Sequence, residues 1–143
     1  MSTTNVTTIN RIALNRLLWA AFLAIVVATL ANLIVYFVAE ALLGVAWEPK
    51  FNAMLVAAGT IGVLIIAAAV FAGVVRFAEN PVKTYTMIAT LALLLSLATP
   101  VLALFGIPGP SVAPLDTVIV MILTHIIAFV VSTLIFTRLA RES

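Results

Sequence analysis

The chain has no cysteine, a single histidine and only 8% charged residues in a length of 143. The missing cysteine excludes disulfide frameworks, thiol redox chemistry and cysteine-ligated metal sites. The one imidazole, His125, is distant in sequence from most of the five carboxylates, so no metal-ligating set is legible. No serine, histidine and acid arrangement has the spacing of a nucleophilic triad either. No catalytic residue, metal or cofactor is therefore expected, and the chain reads as a non-enzyme. Charge is scarce against the soluble norm of about 25%. A net charge of +2, with cations scattered between apolar stretches, does not form the basic patch of a nucleic-acid binder.

What the chain does have is carbon: 65% of its residues are hydrophobic, against about 45–50% in soluble domains. A soluble fold of this size could not hide that surface. A helix needs about 20 apolar residues to cross about 30 Å of hydrocarbon. Residues 17–39, 53–75, 86–105 and 117–137 all meet that length. A four-span path leaves three gaps on one side of the membrane, and these hold Arg11 and Arg16, Arg76 and Lys83, and Arg138 and Arg141. Only Lys50 falls opposite. This bias is the positive-inside signature. The expected fold is an all-α, polytopic membrane protein, a four-transmembrane-helix antiparallel bundle with both termini cytoplasmic. Residues 1–16 read as a cytoplasmic tail rich in Ser, Thr and Asn, 17–138 as one transmembrane domain, and 139–143 as a second tail. The first apolar run exceeds the 7–15 residues of a secretory h-region and shows no clear cleavage site, so it reads as an uncleaved span.

The breaks carry helix punctuation. Pro49 after Glu48 and Pro81 after Asn80 each suit a first helical position, with Asn80 as cap. Pro108, Gly109, Pro110 and Pro114 interrupt residues 106–114, and Asp116 is expected to cap the last helix. Trp19, Phe77 and Tyr85 fall at one predicted interface, and Trp47, Phe51 and Phe105 near the other.

Depth locates the polar residues, because a helix rises 1.5 Å per residue. Counted from the outer boundary, Asn32, Ser96 and His125 all lie about eight or nine residues deep, roughly 12–14 Å. Thr60 is close to the same level. Asn32, Tyr36 and Glu40 follow at i, i+4 and i+8 and form a polar stripe rising to the outer surface. Small residues share faces on the other helices: Ala128 and Ser132 with His125, Ala89, Ala92 and Ala103 with Ser96, and Ala58, Gly62, Ala69 and Gly73 on the second span. Such residues allow close helix approach. Pro100 lacks the N–H that would close the carbonyl of Ser96, and in hydrocarbon that acceptor needs a partner. His125 or the Asn32 amide is the expected donor.

The layer has two readings. Intramembrane ionisable groups often mark solute or proton pathways, with His125 as a shuttle and Glu40 as an outer relay. Alternatively Asn, Ser and His hold the bundle together through hydrogen bonds of about 0.6 kcal/mol each. Glu40 also sits comfortably among headgroups.

Ala31-Asn32 followed by Tyr36, Leu95-Ser96 followed by Pro100, Thr124-His125 followed by Ala128, and Leu139 between Arg138 and Arg141 carry a resemblance. The pattern resembles a family of small four-span bacterial integral membrane proteins described as a domain of unknown function. The resemblance covers nearly the full chain and implies a bacterial inner-membrane location without implying an activity. Small multidrug transporters also have four spans and a first-helix glutamate, but theirs lies well inside the membrane and Glu40 does not. The leading expectation is a non-enzymatic structural or accessory membrane component; the alternative is a small-solute or proton-coupled transporter or channel using the polar layer. The expected partner is the lipid bilayer, with a homo-oligomer or a larger membrane complex as candidates and no nucleic acid. A hydrated cavity from Glu40 to His125 would favour transport, and a dry, fully bonded layer a structural role.

Overall fold

The computed structural model describes residues 14–45, 47, 49–107 and 111–141. The expected N-terminal tail through residue 13 with Arg11, the caps and breakers Glu48, Pro108, Gly109 and Pro110, and the last two residues lie outside the described residues. Five helices follow in order: α1 (Leu14–Leu43), α2 (Ala53–Phe77), α3 (Pro81–Ser96), α4 (Ala98–Ala103) and α5 (Leu115–Arg141). Counting α3 and α4 as one broken unit, Pro81–Ala103, four helical units are long and apolar enough to cross a membrane. Among the described residues there is no strand, only an isolated bridge between Trp47 and Phe51 in the α1–α2 connection.

Each helix end has a local cause. Asn52, not Pro49, opens α2: its Oδ1 accepts from the Leu55 N–H at 3.0 Å. The expectation that Pro49 begins that helix fails, because Trp47 and Phe51 pair with each other ahead of α2, the Phe51 N–H donating to the Trp47 carbonyl at 2.7 Å. Asn80 does cap α3, accepting from the Lys83 N–H at 3.2 Å, with Pro81 in the first turn. Asp116 lies inside the first turn of α5, one residue past its start, and its carboxylate accepts from the Thr117 N–H at 2.8 Å. Gly44 and Gly106, at φ 66 and 72, take the left-handed conformation that ends α1 and the α4 turn.

The helices alternate in direction. α1 packs on α2 and α5, α3 packs mainly on α5, and α1 and α3 lie diagonal to each other. Phe71, Tyr85 and Phe136 close the end of the bundle where α1 begins and α5 finishes. Phe71 and Phe136 stack at 5.0 Å, and Tyr85 meets them edge-on at 5.2 and 5.7 Å. Tyr85 is thus fully buried, not an interfacial anchor; so is Phe51, which packs against Tyr36 at the opposite end. Trp19, Phe77 and Phe105 are exposed. At that opposite, loop-bearing end, Thr117 Oγ1 donates to the Val45 carbonyl at 3.0 Å and the Ala113 N–H donates to the Ala103 carbonyl at 3.0 Å. The first bond ties the α1–α2 connection to α5, and the second ties the α4–α5 connection to the end of α4.

The seam between α2 and α3 is the loose one. Their short turn and the Phe71–Tyr85 contact hold them together at one end, but α3 breaks at Leu97 and α4 continues along α5 without touching α2. Only 11% of the most apolar window of Pro81–Ala103 is buried within the protein. The rest of its surface meets the surroundings or the opening beside α2.

A candidate binding groove between α2 and α3

The opening between α2 and α3 is a groove of about 460 Å³ with α5 as its floor. Its walls are mostly apolar, with Val63 and Ile66 from α2, Ile88 and Leu93 from α3 and Phe129 from α5. The polar residues placed at one depth by sequence meet here. Asn32, Thr60, Ser96 and His125 all line the groove.

Asn32 is the keystone of this layer. It is 1% exposed, and its Nδ2 donates to Thr60 Oγ1 at 2.9 Å and to the Thr124 carbonyl at 3.1 Å, joining α1 to α2 and α5. The orientation of the amide is forced. Thr60 Oγ1 already donates to the Val56 carbonyl at 2.7 Å, so it only accepts from Asn32, and a carbonyl only accepts. Both contacts therefore require nitrogen, and Oδ1 is left buried with no partner.

His125 stands one residue beyond the carbonyl that Asn32 grips. Its Nδ1 contacts the Met121 carbonyl of its own helix at 2.7 Å. Since that carbonyl accepts, Nδ1 carries a proton, and of the two neutral tautomers this is the one that leaves Nε2 as an acceptor. Ser96 Oγ donates to the Leu93 carbonyl at 2.8 Å. The bond from His125 or Asn32 to the Ser96 carbonyl does not form: the former gives its proton to Met121, and the latter uses both amide protons on Thr60 and Thr124. The chain deals with Pro100 differently. By ending α3 at Ser96 and restarting at Ala98, it places the buried Pro100 in the first turn of α4, where helical N–H groups have no intrahelical partner anyway.

The remaining candidates fall around this core. Tyr36 is buried above Asn32, its ring 5.4 Å from Phe51 and 5.5 Å from Phe37. Glu40 is exposed at the end of α1, outside the groove, with no ion pair among the described residues. The stripe of Ala58, Gly62, Ala69 and Gly73 does not pack into the bundle. Ala58, Gly62 and Ala69 are exposed, and a methyl group built on Gly62 or Gly73 meets no atom within 4 Å. The inward face of α2 is instead Val56, Thr60, Leu64, Phe71 and Val74.

Sequence reasoning missed two contributors. The Thr124 carbonyl is a backbone group that no residue type announces. Tyr85 was assigned to the interface, yet its buried hydroxyl lies beside Ser132 at the lower end of the groove without completing a hydrogen bond of normal geometry. The signal for Tyr85 was present: Phe71, Tyr85 and Phe136 lie at corresponding depths on three helices. At the upper end Lys50 lines the groove, its Nζ donating to Ser111 Oγ at 2.9 Å and lying 4.7 Å from the Trp47 ring centre. Among the described residues no cluster of His, Asp and Glu is arranged to hold a metal.

No curated protein and no solved structure shows significant similarity to the chain. A family model does match it, over residues 12–142, which takes in all four helical units and the whole groove. The chain belongs to this family, described as a family of unknown function (DUF6069).

Proposed function

We propose that this protein is a non-enzymatic accessory component of the bacterial inner membrane that holds a small lipid-soluble molecule in the groove between α2 and α3. The observation that carries the reading is the groove itself. Small-molecule sites are concave, mostly apolar and about 300–1,000 Å³, with a few convergent polar groups. A groove of about 460 Å³ with carbon walls and one polar layer fits that description. It is far too small for a transmembrane helix, which spans the bilayer at a diameter of about 10 Å. Because Val63 and Ile66 are exposed along its lip, the groove is reached from the lipid.

The same features weigh against the transport alternative. A solute path from Glu40 to His125 has to pass Tyr36, which is buried against Phe51, and Glu40 does not line the groove. The orientation that goes with this reading places the α2–α3 turn and both termini in the cytoplasm. Arg16, Arg76, Lys83, Arg138 and Arg141 lie at that end and Lys50 at the other, which is the support for it.

Gly59 gives a clean test. It lines the groove, and a Cβ added there meets no atom within 4 Å, so a side chain can start from that position without a clash and Gly59→Trp is expected to occupy the groove. Protein purified from native membranes in gentle detergent is expected to carry a small molecule detectable by native mass spectrometry, and Gly59→Trp to lack it. Identical adducts on both proteins would overturn the reading.

A further inference from the structure

The groove offers hydrogen-bond acceptors and almost no donors at its polar layer. Every threonine and serine hydroxyl there donates back to its own helix: Thr60 to Val56, Thr124 to Met121, Ser96 to Leu93 and Ser132 to Phe129. Their protons thus committed, these hydroxyls can only accept, and that of Thr60 already accepts from Asn32. Asn32 adds a fully buried Oδ1 with no partner, although both of its amide protons are bonded. His125 adds Nε2, since its Nδ1 proton is committed to Met121. Only Tyr85, at the other end of the groove, keeps a hydroxyl proton unassigned.

A buried acceptor without a partner costs more than a missing bond is worth, because it has lost water and gained nothing. In a bilayer the cost persists, since the lipid tails that fill an empty groove cannot donate. The group that relieves it is a donor. An ammonium does not suit the site: no carboxylate lines the groove among the described residues, and the Lys50 ammonium at the upper mouth repels a second cation.

We infer that the groove takes an uncharged amphiphile with a single slim apolar body and a hydroxyl head, and that the hydroxyl donates to Asn32 Oδ1 or His125 Nε2. The inference rests on the groove being a binding site, as proposed above. It adds the chemical class of the ligand. The apolar body lies between Val63 and Ile66 on one side and Ile88 on the other, and the head reaches the layer one helix turn from Phe129.

The experiment compares 1-dodecanol with 1-methoxydodecane, which keeps the chain and the oxygen and loses only the proton. Delipidated protein in detergent micelles is titrated with each, and binding is read by native mass spectrometry. Dodecanol is expected to bind roughly tenfold more tightly, the effect of one net hydrogen bond to a buried acceptor. Asn32→Leu and His125→Leu are each made, because Asn32 also braces the bundle and His125 does not. The preference is expected to collapse in at least one variant that elutes as a single species. Equal binding of alcohol and ether, with both lost in Gly59→Trp, overturns the donor inference and leaves the groove reading intact. Binding of neither probe, or binding unchanged by Gly59→Trp, overturns both.

Discussion

At the residue scale, Asn32 does two jobs that pull in opposite directions. Its amide protons join three helices, and its oxygen is stranded by the same geometry. In a membrane each interhelical bond contributes about 0.6 kcal/mol, because the unfolded helices also find partners. Asn32→Leu, which keeps the volume, is therefore expected to destabilise the bundle by about 1 kcal/mol, two such bonds less the relief of the orphaned oxygen. Thr60→Val on that background adds little, since the pair shares one bond. Unfolding titrations in mixed micelles read both numbers, and a loss several times larger would show that Asn32 carries more than these bonds. Phe136→Ala is the harsher change. Transfer to lipid is no loss for an apolar ring, so the cost is the cavity left between Phe71 and Tyr85, about 2 kcal/mol. The depth of Asn32, Thr60, Ser96 and His125 was legible because cations fix the span ends and helical rise is constant. The pairing of donors was not, because it depends on a backbone carbonyl and on which hydroxyls bond back to their own helix.

At the element scale, the break at Leu97 marks where the α3 wall of the groove stops, since its lining on that helix ends at Ser96. An unbroken α3 would run on beside α2, whereas α4 follows α5 through Ala103, Ala113 and Val118. Pro100→Ala restores the N–H that a continuous helix needs at that position. The expected result is a straighter α3–α4 unit and a narrower groove, read as a shorter distance between spin labels at Gly59→Cys and Ala92→Cys by double electron–electron resonance. An unchanged distance would mean that the packing of α4 on α5, not the proline, sets the bend. Gly106→Ala tests the end of the same unit: a left-handed φ of 72 costs an L-residue about 1 kcal/mol, and the thermal midpoint should fall accordingly. The helices themselves were legible from apolar length and from Asn80 and Pro81. Which face of α2 turns inward was not. In a bilayer carbon is as good outside as inside, so the stripe of Ala58, Gly62, Ala69 and Gly73 looks as interior as Val56, Thr60, Leu64 and Phe71. Only the polar and aromatic members of the second set, Thr60 and Phe71, distinguish it, and each does so through a partner on another helix.

At the scale of the whole molecule, the charge asymmetry is the strongest signal and the one with the most direct test. The four helical units return the chain to the same side after each pair, so the α2–α3 turn with Glu79 and the loop with Ser111 lie at opposite ends of the bundle. Both residues are exposed. The chain supplies its own blank for labelling, since it has no cysteine to react in the background. Ser111→Cys is expected to react with a membrane-impermeant maleimide added to intact spheroplasts, and Glu79→Cys only after lysis. Five described cations at one end against Lys50 at the other make this the favoured arrangement, because Lys and Arg resist translocation while Asp and Glu contribute little. The opposite labelling pattern would invert the molecule without altering its fold, and would place the Lys50 mouth of the groove on the cytoplasmic side. Labelling of both sites before lysis would mean a mixed population, and adding Lys residues to the α2–α3 turn should then shift it toward the single orientation. Because the groove opens sideways between α2 and α3, the site proposed above would be entered through the lipid in either orientation.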